Sequence, residues 1–446
     1  MEQLLASVRK IVPRGVADWL RPAYHYALAV LGAVRYRYPG RKLTVIGITG
    51  TNGKSTTANL AAAVLEAGGY KIGLATTVNF QIGEEKWANS TKMTSLGRWQ
   101  TQRLLRRMLD AGCTHVVLEV SSHAIYWHRT YGIDFETAVF TNLTRDHLDL
   151  HGTMQEYRRI KGKLFESLSA KGDGRTTAIV NGDDPNAEFF LQFFADRKFV
   201  YGQADAASEV LPLAHTVLAK QIDATDEGSA FQVLAEDVSF NAQVNLPGRF
   251  NVSNALAAAA IGLAYDVAPE RIADGLGSVA GVAGRMEQVR AGQPFQVVVD
   301  YAHTPDAFAN VLSALRETTR GKLIAVFGAT GDRDRGKRPD LGRTAAELAD
   351  YLILTEEDPG SEDPHRIIEQ IIPGITEAGK SHRDYEIQVK RRKAIRTALT
   401  LAKPGDTVVL LAKGHETVMT YADGKYLWDD RRVATEEWRD LHVRPT

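Results

Sequence analysis

The chain has 446 residues, 54 basic and 54 acidic side chains, and one cysteine, Cys113. At roughly 150 residues per domain, the length is enough for about three domains. The charge balance leaves no overall basic footprint for nucleic acid, and one cysteine excludes a disulfide framework or a multi-cysteine zinc site.

No run of about 18 apolar residues is present, so no membrane-spanning helix is expected. The opening MEQLLASVRK has no apolar core followed by a cleavage site, which makes the cytoplasm the expected location. Residues 1–42 nevertheless carry eight Lys/Arg against two acids. Within them, YHYALAVLGAV (24–34) is too short to cross a bilayer and reads as a helix packed on the rest of the protein, with contact to an anionic surface as the alternative.

From Leu43 the pattern becomes strand, glycine-rich loop, helix. LTVIGIT is β-branched and apolar without alternation, as in a buried parallel strand. TTANLAAAVLEAG reads as a helix stopped at Gly68–Gly69. Further buried strands are expected at 115–120, 137–142, 177–181, 295–301, 322–328, 351–355 and 407–413, many separated by helical segments. That order predicts an α/β fold with parallel sheets. Residues 203–247 alternate more and predict an antiparallel excursion, followed by an alanine-rich helix at 251–264. A boundary near 283 divides the chain into a basic segment (1–42), a central unit (43–282) and a Rossmann-like C-terminal unit (283–446).

The first strand runs into Gly50-Thr51-Asn52-Gly53-Lys54-Ser55-Thr56. Glycines let backbone N–H groups face phosphate oxygens, and the helix N-terminus adds its positive dipole end. Lys54 is placed for the β/γ-phosphates and Ser55 for Mg²⁺. The spacing G-x-x-G-x-x-G-K-S departs from the usual P-loop, with Ile48 where a glycine is common. Polar clusters close two later strands: Glu119-Val120-Ser121-Ser122-His123, and Asn142 through Gly152. Strand carboxyl ends are where open α/β sheets bind ligands.

These motifs, together with LEVSSHAIYWHR (118–129), FTNLTRDHLDLHG (140–152), YRRIKGKLF (157–165), LPGRFNVSNALAA (246–258), AGRMEQV (283–289), VVVDYAHTPDA (297–307), GATGDRDRGKRPDLG (328–342) and LAKGHE (411–416), resemble the Mur ligase family over roughly residues 43–433. The likeness is greatest to the MurE type, which adds an amino acid to UDP-MurNAc-L-Ala-D-Glu. The resemblance implies ATP and Mg²⁺, a carboxylate acceptor, an acyl phosphate and a free amino acid. It implies catalytic roles for Lys54, Glu119, His147, Lys161 and Arg285. Ser55, Glu119, His147 and a carbamylated Lys161 would serve the metal ions. Asn251, Asn254, Arg285 and Asp300 join the 50–56 loop at the nucleotide. Thr94, Ser95, Ser121 and Arg129 match acceptor contacts, and Arg333, Glu357, Asp358 and Glu416 match the amino-acid site.

Two departures shape the expectations. The 42 residues before the first strand fall below the rough floor for an independent domain, so a complete uridine-binding domain is not expected in them, and their basic character makes them a candidate for a diphosphate or lipid diphosphate. The loop Thr355-Glu356-Glu357-Asp358-Pro359-Gly360 has glycine where diaminopimelate-adding relatives carry arginine. Its acids lead to an expected preference for L-lysine, ornithine or a similar diamine. The alternatives are a folylpolyglutamate synthase-like ligase, a ligase of another peptide polymer such as cyanophycin or pseudomurein, and a non-enzymatic nucleotide-binding scaffold. The scaffold reading is disfavoured because Lys54, Glu119, His147 and Lys161 are all retained.

Overall fold

The computed structural model describes residues 14–442 except 92, 171–173, 204–213 and 237. Its first sheet has eleven strands: β1 Thr44–Thr49, β2 Ile72–Ala75, β3 Asn79–Ile82, β4 Glu85–Ala88, β5 His115–Glu119, β6 Phe135–Phe140, β7 Thr177–Asn181, β8 Arg197–Gly202, β9 His215–Ala224, β10 Ser229–Ala235 and β11 Val238–Val244. The order across the sheet is β11-β10-β9-β8-β7-β6-β1-β5-β2-β3-β4. β1 lies between β5 and β6, and all three are parallel. The chain leaves β1 toward one edge and later returns past it toward the other. This reversal opens a crevice at the carboxyl end of β1.

The apolar run of β1 has its reason here: five of its six residues are buried, because helices cover both faces. On one face, the helices Lys54–Ala67 and Phe250–Ala264 meet through small residues. Ala58, Ala61 and Ala62 belong to the same core as Ala255 through Ala260, all nearly inaccessible. Small side chains let the helix that begins at the phosphate loop sit close against its neighbour. The expected excursion is present as the antiparallel β9–β10–β11 edge of this same sheet, reached by a parallel β8–β9 pairing. The β2–β3–β4 edge was not foreseen.

The second sheet contains β12 Glu287–Gln288, β13 Gln296–Val299, β14 Leu323–Phe327, β15 Tyr351–Leu354, β16 Tyr385–Ile387 and β17 Thr407–Leu410, in the order β12-β13-β17-β14-β15-β16. Five of these strands are parallel, and β12 alone pairs antiparallel. A separate hairpin, β18 Val418–Tyr421 and β19 Gly424–Leu427, belongs to neither sheet. The α/β architecture with a parallel nucleotide-type sheet and a second Rossmann-like sheet is the one the sequence predicts.

The basic N-terminal stretch is described from residue 14; residues 1–13, with Arg9 and Lys10, lie outside the described residues. Arg14–Arg35 is a helix. One face packs: Ala29 and Ala33 are buried, and His25 stands edge-on to Trp127 at 4.7 Å. Leu31 and Val34 on the other face are more than half exposed. Among the described residues, no helix is long and apolar enough to cross a membrane.

Candidate active site

The loop between β1 and the helix Lys54–Ala67 builds the floor of a cavity of about 170 Å³. Gly53 has φ +81°, and a Cβ there would lie 2.4 Å from Asn254 Oδ1. Only glycine allows both this turn and that approach. Asn52 fixes the loop from both sides. Its N–H donates to Asn142 Oδ1 (2.8 Å), and its side-chain amide donates to Asp306 (2.8 Å), across to the C-terminal sheet's unit. Asn254 donates to Asn251 Oδ1 (2.9 Å) and accepts from Thr57 (3.2 Å). The two asparagines are thereby oriented along the wall of this cavity.

Ser55 Oγ donates to Glu119 Oε2 (2.7 Å), and the same oxygen accepts from Thr77 N–H (2.8 Å). Arg285 reaches over from the other unit, donating to Ser55 Oγ at 3.3 Å with its guanidinium over the Tyr301 ring. Asp300 accepts from Met286 N–H and Ala302 N–H (2.7 and 2.6 Å), which locks the turn carrying Arg285. Burial pushes the Asp300 carboxyl up, against the pull of Arg285. Lys54 Nζ donates to Thr51 O at 2.6 Å, and burial pulls its pKa down.

Of the residues singled out from sequence, Thr51, Asn52, Gly53, Lys54, Ser55, Thr56, Glu119, His147, Asn251, Asn254, Arg285 and Asp300 are brought together around this cavity. Gly50 sits behind it. Lys161 is different: it is 1% exposed and lines neither large cavity. Its amine donates to Gly50 O (2.6 Å) from beneath the loop, over the Tyr157 ring. Read without the family, Lys161 is a surface lysine on a helix; the structure corrects this to a buried one. Burial, with Lys54 nearby, pushes its pKa far below the usual lysine value.

A second cavity, of about 770 Å³, adjoins the first. Thr94, Ser121, Asp146, His147, Tyr301 and His303 line both. Arg129, Arg333, Glu357, Asp358 and Glu416 line the larger one. Ser95 lies behind it, donating to Glu119 O (3.1 Å), while its own carbonyl accepts from Arg129 (2.9 Å). At the junction, Asp146 faces Lys337 (3.4 Å), His147 (3.3 Å) and His303 (3.8 Å). Burial works against the Asp146 charge, but Lys337, His147 and His303 outweigh it and hold the carboxyl well below the usual range. Burial keeps His147 and His303 neutral, His303 down to about 4. Asp146, His303, Lys337, Thr77 and Tyr301 were missing from the residues expected from sequence. The motifs RDH, DYAH and GKR contain four of them.

Two of the three acids of the 355–360 loop are paired with lysines. Glu356 pairs with Lys390 (3.4 Å). Asp358 and Glu416 both hold the buried amine of Lys413 (2.8 and 2.5 Å). Burial opposes that charge, yet Glu416 and Asp358 push Lys413 up to about 12. Glu357 accepts from Thr330 (2.9 Å), and burial, then Asp358, pushes it up to about 7.

Among the described residues, no three His, Cys, Asp or Glu side chains converge as a metal cage. The Ser55 hydroxyl and Glu119 carboxylate do supply hard oxygen donors side by side. That donor set fits Mg²⁺, which typically takes one or two protein oxygens together with phosphate oxygens and water.

Comparison with known proteins agrees with this geometry. The Mur ligase middle domain matches residues 48–262, and the Mur ligase glutamate ligase domain matches residues 284–414. The UDP-N-acetylmuramyl-tripeptide synthetase of Roseiflexus sp. (strain RS-1) is 42% identical over 433 residues, spanning 94% of this chain and 83% of its own. A solved UDP-N-acetylmuramoyl-L-alanyl-D-glutamate–2,6-diaminopimelate ligase superposes with a TM-score of 0.60 at 31% identity, over 93% of this chain and 82% of that one. Mycobacterium tuberculosis folylpolyglutamate synthase matches 99% of both chains with a TM-score of 0.67 but 18% identity, a likeness of fold alone. With its phosphate loop, its two sheets and these relatives, the chain belongs to the Mur ligase family of ATP-dependent, ADP-forming ligases that join an acid to an amino acid.

Proposed function

We propose that the chain is a MurE-like peptide ligase of cell-wall precursor synthesis in the cytoplasm. It would add a free amino acid, of the diamino class, to the carboxylate of UDP-MurNAc-L-Ala-D-Glu or a related acceptor. The observation that carries this reading is the junction of the two cavities. A phosphate-binding floor opens, through six shared residues, into a larger chamber with room for acceptor and amine.

In the first step an acceptor carboxylate oxygen attacks the γ-phosphorus of ATP and ADP leaves. In the second, the amine attacks the acyl carbon and inorganic phosphate leaves. Both partners of the first step are anions, so Lys54 and Arg285 act by electrostatic stabilisation of the transferring group. Ser55 and Glu119 would hold Mg²⁺, with His147 at a second ion, and the metal would supply further positive charge at the phosphates. Asn251 and Asn254 orient the nucleotide. Thr94, Ser95, Ser121 and Arg129 form the acceptor side; Arg333, Glu357, Asp358 and Glu416 form the amino-acid side.

Lys161 would carry a carbamate. Its displaced pKa favours the neutral amine, whose nitrogen bonds to the carbon of CO₂ and releases a proton. The product is an anion beneath the phosphate loop. Lys161→Ala is expected to lose at least about a hundredfold in amide formation while keeping its circular dichroism spectrum, and short carboxylic acids should restore part of the rate. Full activity in that variant removes the carbamate.

The central test is product mass and phosphate release from ATP with UDP-MurNAc-L-Ala-D-Glu and a panel of amino acids. A matched reaction with a folate and glutamate runs beside it. Product only in the folate reaction replaces this reading with the folylpolyglutamate one.

A further inference from the structure

The helix Arg14–Arg35 has two unlike faces. On one, Ala29, Gly32 and Ala33 are buried against the rest of the protein. Tyr36, just past the helix, stands edge-on to Trp99 at 5.5 Å, as His25 does to Trp127.

The other face is apolar and open. Ala23, Tyr26, Ala27, Leu31 and Val34 are all exposed, Tyr26 at 46%, Leu31 at 58% and Val34 at 54%. Steps of three, one, four and three residues put these side chains on one stripe along the helix. Arg35 continues the stripe one turn beyond Leu31. Arg37, Arg41 and Lys42 follow it, and all four are exposed.

The sign of this charge says what covers the stripe. No Asp or Glu occurs from residue 19 through residue 65. Arg41 lies 3.8 Å from Asp134. Arg35, Arg37 and Lys42 have no ion pair among the described residues. A second copy of the chain would bring the same sign to this face, whereas an anionic lipid surface brings the opposite one. An apolar helix face flanked by exposed arginines and tyrosines suits the boundary between lipid headgroups and acyl chains. The helix lies on that boundary and does not cross it, since no helix of the described residues is long and apolar enough to span.

We propose that the exposed face of residues 23–42 docks on an anionic lipid bilayer, with Leu31 and Val34 at the acyl boundary and Arg35, Arg37 and Lys42 at the lipid phosphates. This surface is independent of the ligase reading and needs no turnover to be tested. It also sets an orientation. His25, on the packed face, stands on Trp127, two residues before Arg129, which lines the larger chamber. A helix diameter of about 10 Å then separates Trp127 from the lipid.

The test is co-sedimentation of the full chain with vesicles of phosphatidylcholine alone, or of phosphatidylglycerol and phosphatidylcholine in equal parts. Binding to the mixed vesicles is expected, at least about tenfold tighter than to phosphatidylcholine and falling as added salt shortens the screening length. Leu31→Glu should weaken it about tenfold or more. Arg35→Gln combined with Arg37→Gln should weaken it about fivefold for each charge removed. Both variants should keep the wild-type thermal midpoint, because the altered side chains are exposed. No sedimentation with mixed vesicles, equal binding to both vesicle types, or binding unchanged in both variants overturns the proposal. A dimer in light scattering that Leu31→Glu dissolves, without vesicle binding, overturns it in favour of a second copy on this face.

Discussion

The two ends of the active-site cleft handle positive charge in opposite ways. At the phosphate end, cations rest on neutral oxygens. Lys54 donates to the Thr51 carbonyl and Arg285 to the Ser55 hydroxyl. At the amino-acid end, Lys413 is buried between two carboxylates, and Arg338 is fully buried against Glu362, whose carboxyl its hydrogen bonds hold down to about 2. A cation parked on a carbonyl keeps its charge available to an incoming anion. A cation paired with carboxylates has its charge answered within the protein and fixes geometry instead. In the proposed ligase the first arrangement serves catalysis and the second shapes a pocket.

That contrast can be broken by exchanging which property each lysine removal affects. Lys54→Ala should lower kcat about a thousandfold with every amino acid tested. Its thermal midpoint should stay level or rise, because a buried charge without a carboxylate partner costs stability. Lys413→Met should do the reverse. It leaves Asp358 and Glu416 without their shared cation, and chemical denaturation should show a loss of about 3–5 kcal/mol. A catalytically dead but fully stable Lys413→Met would erase the distinction.

The smallest expected effect sharpens the comparison through pH. Burial holds His123 at about 4, His303 at about 4 and His415 at about 3, against an ordinary 6.5. The unfolded chain therefore takes up protons first as pH drops below 6.5, and stability falls from there toward pH 3–4. Glu357, raised to about 7, has the opposite sign: the folded chain binds its proton first, so it adds stability as pH falls from 7 toward 4.5. Three imidazoles outweigh one carboxyl, so the urea midpoint should drop between pH 7 and pH 5. Glu357→Gln should gain stability at pH 8 and not at pH 5. A wild-type midpoint that climbs on acidification contradicts this account.

The phosphate end was legible in the sequence because local backbone geometry makes it. Gly50 through Thr56 are contiguous, and the helix they start follows directly. The burial of Lys161 was legible too, although it was passed over. Tyr157, Lys161, Leu164 and Phe165 share one helical face, and all four are buried. The charge pairing of the amino-acid end was not legible. The acids at 356–358 look like a solvated run until Lys390 and Lys413, more than thirty residues away, are brought against them. β2, β3 and β4 are only four residues each, too short for periodicity to declare itself. β19 has no buried residue at all, so no alternation marks it.

That exposed strand has an evolutionary consequence. β19 pairs only with β18, and none of its side chains contributes to either core. A substitution at Lys425 therefore leaves both sheets, the phosphate loop and the junction between the cavities untouched. Insertions or changes of length at the tip of this hairpin are therefore expected to be tolerated without loss of the fold.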